Sequence, residues 1–230
     1  MARAARFVRS ATAHLVVQRG HNRQRIVIDD TDRHVWREAL VRSVAEHEVR
    51  LNAWALCDDH FLLMVTPREA SALGRLMQDV GRSYVAAFNR RHARSGTLWD
   101  GRFRACVLQS GACELDALRY VESSCTSGLD SSQPTAGYRW SSRGHHLGQA
   151  ADPLITDPAA YWALGNTPFE REAAYRSWID QPLGFARVAE LEGCLRQGRP
   201  WGDAGFVRQL ELESGRPLSA QPRGRPRKTS

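Results

Sequence analysis

The chain has 230 residues, of which 42% are hydrophobic and 25% charged, with a formal net charge of +7. This length can bury a proper core and suggests one domain with an appendage, or two small domains. No stretch approaches the roughly 20 apolar residues of a membrane span. The first residues also lack the apolar core of a secretory signal, so we expect a cytoplasmic protein without a membrane partner.

The basic residues are almost all arginine, since Lys228 is the only lysine. The planar arginine fork pairs with phosphate and stacks on bases, so the composition favours a nucleic-acid partner. A GC-rich genome also enriches arginine through codon use, which leaves a second explanation open. The five cysteines show no CxxC pair and no zinc spacing, and we expect reduced thiols.

The first half of the chain alternates short β-forming runs with amphipathic helical patterns. In chain order the pattern predicts strands at 13–20 and 25–28, a helix from 31 or 32 to about 47, strands at 50–57 and 60–66, a helix beginning at 71, a strand at 105–109 and a helix at 114–123. This β-β-α-β-β-α-β-α order predicts an α+β fold, with one largely antiparallel sheet and helices packed on it.

The second half begins with a Ser-, Gly-, Pro- and His-rich loop region that contains the compact aromatic anchor Tyr138-Arg139-Trp140-Ser141-Ser142. Helices are predicted at 157–164, 168–179, 182–197 and 203–214, and they form a small helical appendage. The last stretch is basic, contains no acid, and should be disordered when free. The predicted units are a basic lead-in at 1–11, a core at 12–128, a loop region at 129–156, the appendage at 157–214 and a tail at 215–230.

Two basic segments, 19–25 and 90–104, carry the candidate nucleic-acid contacts, with Trp99 and Phe103 inside the second. Arginines for phosphate and rings for stacked bases suit single strands. We expect the arginines to contact DNA and at least one ring to pack in the core. Residues 224–228 resemble an AT-hook, a short basic arm that lies in a narrow minor groove, or form a solubilising tail. The candidates are Arg19, Asn22, Arg23, Arg90, Arg91, Arg94, Arg102, Arg104, Arg225, Arg227 and Lys228.

Several stretches, taken together in their order and spacing, resemble the REP-associated tyrosine transposases, relatives of the single-tyrosine insertion-sequence transposases. They are Gln18-Arg19-Gly20-His21-Asn22-Arg23-Gln24, Leu51-Asn52-Ala53-Trp54, Asp59-His60, Thr97-Leu98-Trp99-Asp100-Gly101-Arg102-Phe103, Arg119-Tyr120-Val121-Glu122 and the aromatic anchor. The resemblance covers nearly the whole chain. It implies a ferredoxin-like core of the HUH endonuclease type, followed by the helical appendage and basic tail.

The resemblance also implies an activity in DNA transposition and recombination. A divalent Mg²⁺ or Mn²⁺ ion polarises the scissile phosphate of hairpin-forming single-stranded DNA, such as a repetitive extragenic palindrome. A tyrosine then attacks, which gives a 5′-phosphotyrosine and a free 3′-hydroxyl, and rejoining reverses this step. The position of the nucleophile falls on Tyr120.

The expected metal site departs from the family pattern. The first histidine ligand matches His60, but Leu62 stands where the second belongs and Ser124 where the third belongs. Asp59 is a possible substitute ligand, although neighbouring strand residues point to opposite faces. The resemblance therefore predicts a degraded metal site, with no metal bound if the degeneration is complete.

Three functions remain open on the sequence: an active or impaired transposase, a catalytically inactive DNA-binding module derived from one, and a protein that binds structured RNA. Leu62 and Ser124 separate the first two. The sequence leaves the oligomeric state, monomer or dimer, undetermined.

Overall fold

The computed structural model describes residues 6–125 and 138–219. Its sheet has four strands in the order β2-β3-β1-β4, with every neighbouring pair antiparallel. The strands are β1 (His14–Arg19), β2 (Val49–Leu56), β3 (His60–Pro67) and β4 (Arg104–Val107). The helices are α1 (Asp30–Glu46), α2 (Ala70–Arg91), α3 (Ala112–Ser123), α4 (Arg143–His146), α5 (Ala159–Trp162), α6 (Pro168–Ile179), α7 (Phe185–Gln197) and α8 (Ala204–Ser214). The predicted α+β class is confirmed, and the β-α-β-β-α-β order of the sheet is the ferredoxin-like one.

The first face of the sheet is covered by α1 and α2. Alternate strand residues such as Val16 and Leu63 point to this face, where they pack against Trp36 of α1 and Leu76 of α2. Successive side chains of a strand point to opposite faces, so the other half of each apolar run needs a second layer.

The second layer is formed by α3 and the helices that follow it. Leu15 and Leu62 on this face share one core with Leu118 of α3, Tyr175 of α6 and Trp201. The helices after residue 157 therefore complete the core of the sheet. The division into a core unit and an appendage stays a prediction about separate folding units.

The predicted strand at 25–28 is wrong. The backbone N–H groups of Ile26 and Val27 both donate to the carbonyl oxygen of Asp58, at 2.6 and 3.3 Å, in place of a ladder of bonds. Both side chains are fully buried. The Tyr84 hydroxyl donates to the Ile26 carbonyl oxygen at 2.5 Å. A β-forming run is thus used as an irregular anchor between the sheet and α2.

The aromatic anchor lies along the edge of β2. The Leu56 N–H donates to the carbonyl oxygen of Trp140, and the Ser142 N–H donates to that of Trp54, both at 2.9 Å. Directly after it comes the short helix α4, inside the stretch that was predicted as loop. The AT-hook-like segment at 224–228 lies outside the described residues.

The expectation of reduced thiols is wrong for two cysteines. Cys57 and Cys125 form a disulfide with a Cα–Cα distance of 5.1 Å. Cys106, Cys113 and Cys194 are free and buried. The disulfide joins the end of β2 to the residue that follows Ser124, and both lie beside the predicted site. Within the described ranges, every helix is too short or too polar to cross a membrane.

Candidate functional site

A cavity of about 450 Å³ lies on the second face of the sheet, between β3, α3 and α7. His60 opens β3, and Tyr120 projects from the last turn of α3. The structure therefore brings together residues that the resemblance nominated from distant parts of the sequence. The cavity is lined by Arg19, His60, Arg119, Tyr120, Ser123, Ser124, Ile179, Gln181, Pro182, Leu183, Val188 and Glu192.

The His60 ring is oriented by its neighbour. Its Nδ1 lies 2.5 Å from Oδ1 of Asp59. A carboxylate only accepts hydrogen bonds, so Nδ1 carries the proton of this bond. Asp59 thus contacts the first predicted ligand, in the manner of carboxylates that orient metal-binding histidines.

The other predicted ligand positions do not offer donors to a metal ion. Leu62 is 2% exposed and packs in the apolar core of the second face. The Ser124 hydroxyl donates to the backbone carbonyl of Tyr120 at 2.5 Å, one turn earlier in α3. Among the described residues that line the cavity, the one carboxylate belongs to Glu192, which already accepts a hydrogen bond from Tyr120.

The remaining donors are the His60 ring and the Glu192 carboxylate, which already binds Tyr120. They do not supply the oxygen-rich coordination that Mg²⁺ or Mn²⁺ requires. The clusters of three possible metal ligands in the described residues lie elsewhere, around His145 and around His47. The divalent ion that the resemblance implies therefore does not match this donor set.

The Tyr120 hydroxyl donates to Oε1 of Glu192 at 3.0 Å. Burial and the negative charge of Glu192 together raise the pKa of the Tyr120 phenol well above its usual range. The phenol therefore stays protonated near neutral pH, with its proton directed at a carboxylate. This pairing is the arrangement of a nucleophile with an adjacent base.

Sequence reasoning missed Glu192. It lies on α7, 72 residues from Tyr120, in a helix with no resemblance motif. No local pattern distinguishes this glutamate from the other acidic residues of the appendage.

Arg119 holds the wall of the cavity that comes from the α6–α7 connection. Its guanidinium donates to the carbonyl oxygens of Trp178 and Gln181 at 3.0 and 2.9 Å, and to Asp116 Oδ1 at 2.9 Å. The side chain next to the nucleophile position is therefore structural, because it satisfies backbone groups at the end of α6.

The predicted nucleic-acid contacts do not lie together in one place. Arg19 lines the Tyr120 cavity. Asn22 and Arg23 are exposed in a 3-10 turn, where both have positive φ angles of 51° and 56°. Arg102 and Arg104 are exposed beside a second, basic cavity. Arg225, Arg227 and Lys228 lie outside the described residues.

The predicted contacts at the end of α2 are partly engaged within the protein. Arg91 binds Asp29 and Asp32, with nitrogen–oxygen distances of 2.5 Å to each, and so joins the start of α1 to the end of α2. Arg94 donates to the side-chain oxygen of Gln24 at 2.9 Å. Arg90 is exposed. DNA binding by Arg91 would compete with two carboxylates.

The two aromatic residues of this basic segment differ. Trp99 packs against Phe61 and Tyr84, with ring centroids 5.7 and 6.2 Å apart, so it belongs to the core. Phe103 is half-buried, and the Arg6 guanidinium lies 3.7 Å from its ring centroid.

Comparisons with known proteins identify the family and the fold. A family model described as IS200-like transposase matches residues 7–124, just over half of the chain. No curated protein sequence matches. A solved structure of a REP-associated tyrosine transposase bound to a REP hairpin aligns with a TM-score of 0.52 at 13% identity, covering 70% of this chain and 93% of that chain. A candidate transposase from Deinococcus radiodurans R1 has a TM-score of 0.37 at 16% identity, covering 48% of this chain and 88% of that chain.

Proposed function

Because the chain belongs to the IS200-like transposase family, we propose that it is a DNA-binding protein that acts on hairpin-forming single-stranded DNA. The observation that carries this proposal is the Tyr120 cavity. There Tyr120, the oriented ring of His60 and the guanidinium of Arg19 line one pocket on the second face of the sheet. The solved REP-associated transposase, which has this fold, is bound to a REP hairpin.

The residues of the cavity support part of the family's chemistry. Arg19 supplies a charged fork for the scissile phosphate. Tyr120 attacks the phosphorus while Glu192 accepts the phenol proton. The bond from phosphorus to the 3′ oxygen breaks and that oxygen takes a proton from water, which leaves a 5′-phosphotyrosine and a free 3′-hydroxyl. What the cavity lacks is the second and third metal donors, since Leu62 is apolar and Ser124 bonds to the backbone. We therefore propose binding with impaired cleavage.

A catalytically inactive DNA-binding module is the second candidate. The observation that favours it is the engagement of the polar groups around Tyr120 by other protein groups. In this case Tyr120 is a packed tyrosine whose hydroxyl bonds to Glu192. The cytoplasmic location remains a prediction under both candidates.

The experiment compares wild type with Tyr120→Phe on labelled single-stranded DNA hairpins, with Mg²⁺ or Mn²⁺ present or omitted. The phenylalanine keeps the ring packing and removes only the hydroxyl that would attack. We expect wild type and variant to bind hairpins equally, and wild type to give a weak covalent protein–DNA adduct that the variant does not form.

The outcomes separate the candidates. Equal binding without an adduct in either protein favours the inactive module. Tighter binding to RNA hairpins of the same sequence favours a structured-RNA-binding protein. No binding to any hairpin overturns the proposal.

A further inference from the structure

A second cavity, of about 260 Å³, lies beside β4, the last strand of the sheet, and next to the end of α7. We call it the basic cleft. In the part of the chain that the structure describes, its charged lining residues are all arginines, with no carboxylate among them. They are Arg6, Arg102, Arg104, Arg196, Arg199 and Arg216.

About half of the other arginines in the described residues form an ion pair with an acid. Examples are Arg37 with Asp152 at 2.6 Å and Arg187 with Asp116 at 2.9 Å. In the cleft, by contrast, the guanidinium groups of Arg102, Arg104 and Arg196 form no ion pair or hydrogen bond within the described part of the chain. These are exposed groups that water now hydrates.

Arg199 adds to this concentration of positive charge. Its Nε is buried and has no hydrogen-bond partner in the described structure. Several like charges around one small cavity repel one another, and a bound polyanion removes that repulsion. Arginine forks bind phosphate oxygens bidentately, so the ligand chemistry that best fits the cleft is a phosphodiester backbone.

The cleft continues into a larger open groove along α2, of about 760 Å³. Arg6, Arg102 and Phe103 line both cavities. Met77 and Val85 line the groove. The groove is open at Gly74, where an added Cβ would have no atom within 4 Å. A charged cleft joined to an apolar, aromatic-edged groove matches the needs of a single strand, whose phosphates and bases require different surfaces.

Helix α7 connects the cleft to the Tyr120 cavity. Glu192 lines the Tyr120 cavity and Arg196 lines the cleft. These residues are four positions apart, so they lie on one side of the helix, about 6 Å apart along its axis. Ser219, the last described residue, also lines the cleft.

We propose that the basic cleft and the adjoining groove bind the single-stranded DNA that flanks the hairpin, on a surface separate from the Tyr120 cavity. The inference rests on the proposed function for the identity of the ligand. It adds a binding surface to which the part of the second layer that follows α3, called the C-terminal layer, contributes Arg196 and Arg199.

The test measures fluorescence anisotropy of three labelled DNAs: a hairpin with a single-stranded flank, the same hairpin without a flank, and an unstructured oligonucleotide. The variant is Arg104→Gln with Arg196→Gln. The matched control is Arg42→Gln with Arg68→Gln, which removes the same charge from exposed positions that line neither cavity. Thermal melts verify that both variants fold.

For flanked DNA, we expect the variant to bind more weakly than the control. The slope of log binding constant against log salt should fall by about 1.4, from roughly 0.7 for each lost phosphate contact. Binding of the unflanked hairpin should be the same in variant and control.

Equal slopes for variant and control would overturn the cleft proposal and leave hairpin binding intact. An equal loss on the unflanked hairpin would also overturn it, because the arginines would then contact the duplex. Wild type that binds the unstructured oligonucleotide through these arginines but binds no hairpin would refute the proposed function and keep the cleft. A flanking strand of RNA that binds more tightly than DNA, with the same dependence, would overturn DNA as the ligand.

Discussion

The Tyr120 cavity and the basic cleft lie one turn apart along α7, yet they differ in how their polar groups are paired. In the cavity, the hydroxyl of Tyr120 meets Glu192 and the ring of His60 meets Asp59. In the cleft, the guanidinium groups of Arg104 and Arg196 meet no protein partner within the described residues. Two polar groups of the cavity are therefore paired with carboxylates and Arg19 is its one lining cation without an acidic partner in the described residues, whereas the cleft gathers several such arginines.

Exposure explains why arginines of the cleft need no protein partner. Arg104 and Arg196 are exposed and hydrated, whereas the half-buried hydroxyl of Tyr120 gains a partner in Glu192. Two residues after Tyr120, Glu122 is 1% exposed. Its carboxylate accepts hydrogen bonds from the Ser142 hydroxyl at 2.5 Å, His146 Nδ1 at 2.6 Å and the Tyr175 hydroxyl at 2.7 Å. These bonds fasten α3 to the later helices, so the cavity depends on the C-terminal layer for its shape.

The largest expected effect comes from opening the disulfide beside the cavity. Cys57 and Cys125 are separated by 68 residues. Closing a loop of this length restricts the unfolded chain, so its loss should lower the free energy of unfolding by about 4 kcal/mol. Urea unfolding with and without reductant measures the difference. DNA binding by the basic cleft should keep its salt slope wherever the reduced protein remains folded.

The matched control for the disulfide is the double variant Cys57→Ser with Cys125→Ser. It should have the stability of the reduced wild type and show no response to reductant. A reductant effect that persists in this variant would assign the stabilisation to another cause. A change, on reduction, in the salt dependence of DNA binding would contradict the proposal that the cleft binds DNA independently of the Tyr120 cavity.

A somewhat smaller effect is expected from pH, through His146 in the same C-terminal layer. Burial disfavours its charge, but Glu122 and Asp157 outweigh burial and raise the pKa of His146 to about 9. Because this folded pKa lies above the unfolded value of about 6.5, the stabilisation is complete below pH 6.5 and is lost as pH rises through 9. The loss should reach roughly 3 kcal/mol.

Urea unfolding at pH 6.5, 8 and 9.5 measures this loss, with His146→Asn as the comparison. The variant should be less stable at pH 6.5 and show a flatter profile toward pH 9.5. An NMR titration of His146 in wild type gives its pKa directly, so the prediction stands even for a poorly folded variant. A measured pKa near 6.5 would contradict it. The salt slope of the cleft should not follow this titration.

The sequence predicted the features that depend on local periodicity. Strand alternation places His60 and Leu62 on one face, and the apolar spacing of 114–123 turns Tyr120 toward that face. The same rules failed at residues 25–28. This β-forming run pairs with no strand, because the N–H groups of Ile26 and Val27 both donate to the carbonyl oxygen of Asp58. Periodicity describes which side of an element is apolar, and it carries no information about a backbone partner outside the element.

Contacts across long separations had no signal in the sequence. Glu192 reaches Tyr120 across 72 residues, and the disulfide joins cysteines that fit no motif spacing. Net charge also concealed where the positive charge is available, because arginines such as Arg91 are neutralised by acids far along the chain. Only the folded chain distinguishes the arginines of the basic cleft from these.

The smallest change is expected at Glu192, the cavity residue that lies one helical turn from Arg196 of the cleft. Glu192→Gln keeps a hydrogen-bond acceptor for the Tyr120 hydroxyl but removes the negative charge. Burial is the larger cause of the raised pKa of Tyr120 and Glu192 the next, so we expect that pKa to fall but to stay above its usual value. NMR of ring-labelled tyrosine, with Tyr120→Phe to assign the signal, measures the change.

Because Glu192 is exposed, the free energy of unfolding should change by under about 0.5 kcal/mol. An unchanged pKa would mean that burial alone keeps the phenol protonated, and Glu192 would then lose its role as the proton acceptor. A fall would show that α7 controls the pKa of Tyr120 through one carboxylate, one turn away from Arg196 of the basic cleft.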